Sequence, residues 1–213
     1  MKRTSTMLAG VAAAAVGLVT ATGSAQIAGS AHDFSSMAWS GGEICKPCHT
    51  PHNAMDGMPR LWNHELTTAT YQMHEGSSGS GVGTAVVDFD YRSRMCLSCH
   101  DGTVALDSFG GQGGSSFMPT GANLGTDLRD DHPVGSDALY PPIPQPSWWT
   151  GSFRDPSTFP SRVRLVEWAD PGGVTRTVVG CTTCHNPHRR GGYPYLLNIS
   201  NSASALCLTC HIK

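Results

Sequence analysis

Lysine is almost missing from this 213-residue chain: after Lys2 only Lys46 and Lys213 occur. Charged residues amount to 14%, with a formal charge of −2. There is accordingly no basic stripe for nucleic acid and no Lys/Arg-rich amphipathic segment for anionic lipid. Apolar residues are modest at 39%, and no run after Gln26 approaches the length of a membrane-crossing helix. G-x-G-x-x-G, P-loop, G-x-S-x-G and H-E-x-x-H patterns are all missing. The acidic residues are scattered, without a paired-carboxylate context. What the chain does have in quantity is 25 Gly and 14 Pro, spread along its length. Such a composition builds a poor protein-only core, so something else must supply buried apolar surface.

The N-terminus reads as a processing segment. Lys2 and Arg3 precede an apolar stretch at 7–20, and Gly23-Ser24-Ala25 places small residues before Gln26. Residues 1–25 fit a secretory signal peptide, the apolar run being too short for a bilayer span. One exported domain over 26–213 is then expected.

All eight cysteines fall into four identical frames. These are Cys45-x-x-Cys48-His49, Cys96-x-x-Cys99-His100, Cys181-x-x-Cys184-His185 and Cys207-x-x-Cys210-His211. C-x-x-C-H is the attachment signature of c-type haem: each thiol adds to one vinyl group, and the following His ligates the iron. Disulfides do not call for a His after every second Cys. Paired C-x-x-C zinc sites also leave the four His unexplained. A thioredoxin-like pair occurs once, on a βαβ unit, and no such unit is seen. Four covalently attached haems are therefore expected.

The sixth position on each iron decides the chemistry, because an open one activates substrates and a second strong ligand leaves electron transfer. Six His remain for four positions: His32, His52, His64, His74, His132 and His188. No motif replaces its His with Lys. Full bis-His ligation is expected, and with it a carrier rather than an enzyme. Met37, Met55, Met58, Met73, Met95 and Met118 are competing ligands, although Met more often fills space against a flat ring. His52 and His188 each follow a proximal His by three residues, in His49-Thr50-Pro51-His52 and His185-Asn186-Pro187-His188. That spacing shares a face with the proximal His and reaches a neighbouring haem, not the same iron. His132 precedes Pro133, which holds it extended. His32 sits on an N-terminal arm that frays unless tied down. His64 is held in reserve, and His74 lies in a polar stretch.

The motifs begin at 45, 96, 181 and 207, so the repeat reads as chemical rather than structural. Short helices are expected to carry them, with Leu97 and Leu208 facing porphyrin. Segments 76–84 and 110–116 are Gly/Ser-rich loops, and 140–146 is a Pro-rich strap. Trp148-Trp149 reads as packing. Alternation at 162–168 and 174–179 around Asp170-Pro171-Gly172-Gly173 predicts a β-hairpin. The expected fold is mainly irregular and loop-rich, with short helices and one small hairpin around four stacked haems.

With these positions in hand, the sequence resembles the OmcE-type tetrahaem cytochromes of metal-reducing bacteria and their archaeal relatives. The residues that carry the resemblance are AHDFSS at 31–36, CKPCHTPHNA at 45–54, LWNHE at 61–65 and SRMCLSCHDGTVA at 93–105. It continues in DLRDDHPVG at 127–135, CTTCHNPH at 181–188 and CLTCHIK at 207–213. The resemblance implies bis-His haems in alternating parallel and T-shaped stacks, and polymerisation into extracellular filaments. It also implies that one subunit's His completes a terminal haem of the next. By motif that donor is His32, with His52, His132 and His188 serving within the chain. The layout agrees, since His32 and the fourth motif sit at opposite chain ends and suit head-to-tail growth. The expected function is long-range electron transport in a cell-surface homopolymer. A monomeric periplasmic shuttle and a reductase with an open haem are the alternatives.

Overall fold

The computed structural model describes residues 27–74, 84–85, 89–141, 152–188 and 192–212. The segment 1–25 expected as a signal peptide, nearly all of the 76–84 loop, the strap beyond residue 141 and Trp148-Trp149 lie outside the described residues.

Regular structure is short, as a chain rich in Gly and Pro dictates. The longest helix, α1, spans Tyr91–His100. Asp90 caps it by accepting the backbone N–H groups of Arg92 and Ser93 at 3.0 and 3.2 Å. Gly102, at φ +72°, turns the chain away just past its end. Helices α2 (Cys181–Cys184) and α3 (Cys207–Cys210) are single turns that coincide with the C-x-x-C frames of the third and fourth motifs. The two-residue spacer is thus met by a helix at three motifs, as expected, whereas the first motif lies on a turn closed by His49 N–H to Cys45 O at 2.8 Å.

Three two-stranded antiparallel sheets complete the described structure. Strand β1 (Thr70–Tyr71) pairs with β2 (Thr84–Ala85), and β3 (Ser152–Phe153) with β6 (His211–Ile212). The last pairing sets Phe153 opposite His211, with ring centres 5.1 Å apart. Strands β4 (Val166–Ala169) and β5 (Thr175–Val178) form the hairpin that the alternation predicts. Its turn closes through Gly173 N–H to Asp170 O at 2.8 Å, with Gly173 at φ +80°. Val178 leads within three residues to Cys181, so the hairpin anchors the third motif.

Among the described residues the buried apolar side chains form three separate clusters rather than one core. Tyr71, Met73, Phe89, Leu97 and Leu128 make one buried cluster. Ala138, Tyr140 and Val179 make a second, and Val166, Trp168 and Val178 a third. Leu97 corrects an expectation: it is 1% exposed and packs into the first cluster rather than toward a porphyrin. Cys96 and Cys99 share a helix face, and Leu97 lies about 100° around from Cys96.

Candidate haem centres

The first and third motifs share more than chemistry. After His49 the chain loops out and returns so that Asn63 N–H donates to Cys48 O at 2.9 Å, and Thr50 N–H to Leu61 O at 3.0 Å. After His185 the same wiring recurs: Asn198 N–H donates to Cys184 O at 2.8 Å, and Asn186 N–H to Leu196 O at 2.7 Å. His49 bridges Trp62 as His185 bridges Leu197. Both returns contain two successive left-handed residues, Arg60 and Leu61 in one, Tyr195 and Leu196 in the other. The reading of a purely chemical repeat is therefore corrected for these two motifs, which are two copies of one structural unit.

The returning backbone fixes the imidazoles. His49 Nδ1–H donates to Arg60 O at 2.8 Å, and His185 Nδ1–H to Tyr195 O at 2.8 Å. His100 uses Ala122 O at 2.9 Å, His132 its neighbour Pro133 O at 2.9 Å, and His32 Pro187 O at 3.4 Å. A carbonyl only accepts, so each Nδ1 carries the proton and each Nε2 lone pair is left for a metal. His64 and His74 differ. His64 is 1% exposed, with Nδ1 on Glu65 O at 2.8 Å and Nε2 on Ala105 O at 3.0 Å. His74 spends Nε2 on Asp131 O at 2.6 Å. The reserve position His64 is thus tied up in packing.

The candidate ligands meet in pairs. Ring centres lie 6.1 Å apart for His32 and His100, 6.2 Å for His49 and His188, and 6.2 Å for His132 and His211. An iron between two trans imidazoles, with bonds of about 2 Å and about 1 Å more to each ring centre, needs roughly 6 Å. The residues therefore fit a bis-His haem at three motifs. His185 and His52 are left: both are exposed, and neither has an imidazole at this distance among the described residues. His52 instead lines a groove of about 500 Å³ with Trp39, Lys46, Asn63, Asp107 and Phe109. The arm that bears His32 is seated on its own chain, against His100 and Pro187. Burial there lowers the His32 pKa, which favours the neutral, ligating form.

Other features fit attached haem. All eight cysteines are unbridged. Burial raises the Cys48, Cys184 and Cys210 thiols to about 11 and Cys99 to about 12. Among the described residues no group of three or more His, Cys, Asp or Glu is placed to hold a metal by protein donors alone. Trp62 Nε1 and Arg94 Nε are buried donors without a partner among those residues. They sit on segments of the first and second motifs and are of the kind a propionate accepts from. Sequence reasoning missed Trp62, whose ring lies edge-on to His49 at 6.1 Å and helps set its plane. It also missed the carbonyls of Arg60, Ala122 and Tyr195, which any residue type supplies.

Residues 176–213 match the family model of the doubled CXXCH motif, spanning the third and fourth motifs and His188. The match covers less than a fifth of the chain, and with the four C-x-x-C-H frames it supports covalently bound c-type haem of the multihaem kind. No match to the chain is found among curated proteins or solved structures. No helix among the described residues is long and apolar enough to cross a membrane.

Proposed function

We propose that the chain carries electrons through four bis-His haems and is the subunit of an extracellular head-to-tail filament. The observation that carries this reading is the set of imidazole pairs. Three stand at 6.1–6.2 Å within the chain, and the fourth is divided between exposed His185 and exposed His52.

When bound, each haem supplies a one-electron iron couple. The chain's own part would be to offer each haem a pair of imidazoles, of which His32, His49, His100, His132 and His185 are oriented through Nδ1. That leaves no position for a small-molecule substrate, so the protein acts as a carrier and not an enzyme. Assembly follows from the divided pair: His52 of one copy serves the His185 haem of the next. A donor and an acceptor left unmatched in one subunit make a head-to-tail contact that can extend from copy to copy. The groove around His52 suits the incoming haem edge. Lys46, 5.8 Å from the Phe109 ring centre, offers a cation to its propionates. The joint thus uses His52 where the resemblance implies His32.

Haem content, spectra and electron microscopy of the native protein test the proposal together. Four haems per chain, all low-spin, in filaments is the expected result. Monomers with every haem low-spin would establish the periplasmic shuttle instead. A high-spin haem in the assembled protein that binds carbon monoxide or nitrite would establish the reductase.

A further inference from the structure

We infer that a buried weld between the starts of α1 and α2 is a positioning device setting the electron-transfer distance between the second and third haems. The inference rests on the conduit reading above.

Cys181, the first cysteine of the third motif, is joined to the helix that carries Cys96, the first cysteine of the second: its backbone N–H donates to Ser93 Oγ of α1 at 3.0 Å. Both become thioether sulfurs on a porphyrin edge once haem is attached. Holding the two turns together therefore brings two haem edges together.

Three side chains hold it. Asp90, 2% exposed, caps α1 and also accepts the Ser93 hydroxyl. Ser93 Oγ, fully buried, accepts the backbone N–H of Cys181 at 3.0 Å, a bond between residues 88 apart in sequence. Gly180 makes the approach possible. A Cβ there would lie 2.5 Å from Asp90 Oδ2, 2.8 Å from Val166 Cγ2 and 3.0 Å from Ser93 Oγ. Its φ of −119° is ordinary, so the requirement is space and not backbone conformation. Capping α1 needs only an exposed Asp or Ser. Burying the cap and routing it onto Cys181 does something more: it fixes α2 against α1.

The test uses the haem-loaded protein. Ser93→Ala removes the bridge at nearly constant volume, and Gly180→Ala forces the two turns apart. Gly113→Ala, whose Cβ meets nothing within 4 Å, is the control. Electron redistribution after partial photoreduction is followed by transient absorption, beside the Soret circular-dichroism couplet, haem content and low-spin spectrum. Misplacements near 1 Å change rates steeply, so Ser93→Ala should slow the slowest phase by about tenfold and weaken the couplet. Gly180→Ala should do more, and the control nothing, with four low-spin haems in all three. Wild-type rates and couplet in both weld variants would overturn the inference. Where a variant fails to load haem, a map of the unaltered holoprotein decides it: Ser93 bonded to Cys181 supports the weld, and the two turns apart overturn it. A wild-type protein with fewer than four low-spin haems instead defeats the conduit reading and is distinguishable from either result.

Discussion

The unit at 45–63 and the unit at 181–198 are wired alike and end differently. In both, the backbone returns to hold the proximal imidazole through Nδ1 and to cap the second cysteine's carbonyl. Yet His188 turns inward to face His49 at 6.2 Å, while its counterpart His52 stands exposed beside Lys46. Surroundings decide this, since the local wiring is the same. The third unit is packed against α1 and rooted in the hairpin, and the N-terminal arm lies on Pro187. The first unit opens onto a groove. On the proposed filament reading, one device serves two purposes, an internal cross-link and an external coupling.

The sharpest break of this comparison is His188→Ala. It should leave one haem five-coordinate and high-spin at every protein concentration, because the lost partner is internal. His52→Ala should abolish filaments in electron micrographs while three haems stay low-spin, and added imidazole should restore the fourth. Filaments persisting in His52→Ala would sink the joint. The two returns should also differ in stability. Asn198, 6% exposed, donates its side-chain amide to Thr182 O and Thr183 O, both at 3.0 Å. Asn198→Ala should cost about 1–3 kcal/mol in urea unfolding, and Asn63→Ala in the more open unit under about 1 kcal/mol. The smallest effect is one the units should share. Arg60 and Tyr195 hold φ +64° and +55° and are both exposed. Glycine at either should stabilise by up to about 1 kcal/mol, and a gain at only one would mean the returns are not equivalent.

The haem frames are legible in the sequence because covalent attachment demands contiguous residues, and the His-x-x-His spacing is equally local. The hairpin is legible because its alternation surrounds a turn of fixed chemistry. The duplicated unit is not, because its work is done by carbonyls and side-chain identity is free to drift. Only Leu61-Trp62-Asn63 and Leu196-Leu197-Asn198 hint at it, and the loops before them differ by one residue. The seat of His32 on His100 is illegible for another reason: it joins segments whose proximity no local pattern encodes. Leu97 shows the reverse error, since proximity to a cofactor motif says nothing about which side of a helix turn a residue takes.

The three small apolar clusters have a consequence for how the protein is made. None has more than five buried members, too few to offset the ordering of a chain this rich in glycine. The polypeptide without its haems should then be loose, with every C-x-x-C-H within reach of the chemistry that attaches them. Each porphyrin added is also an addition to the interior.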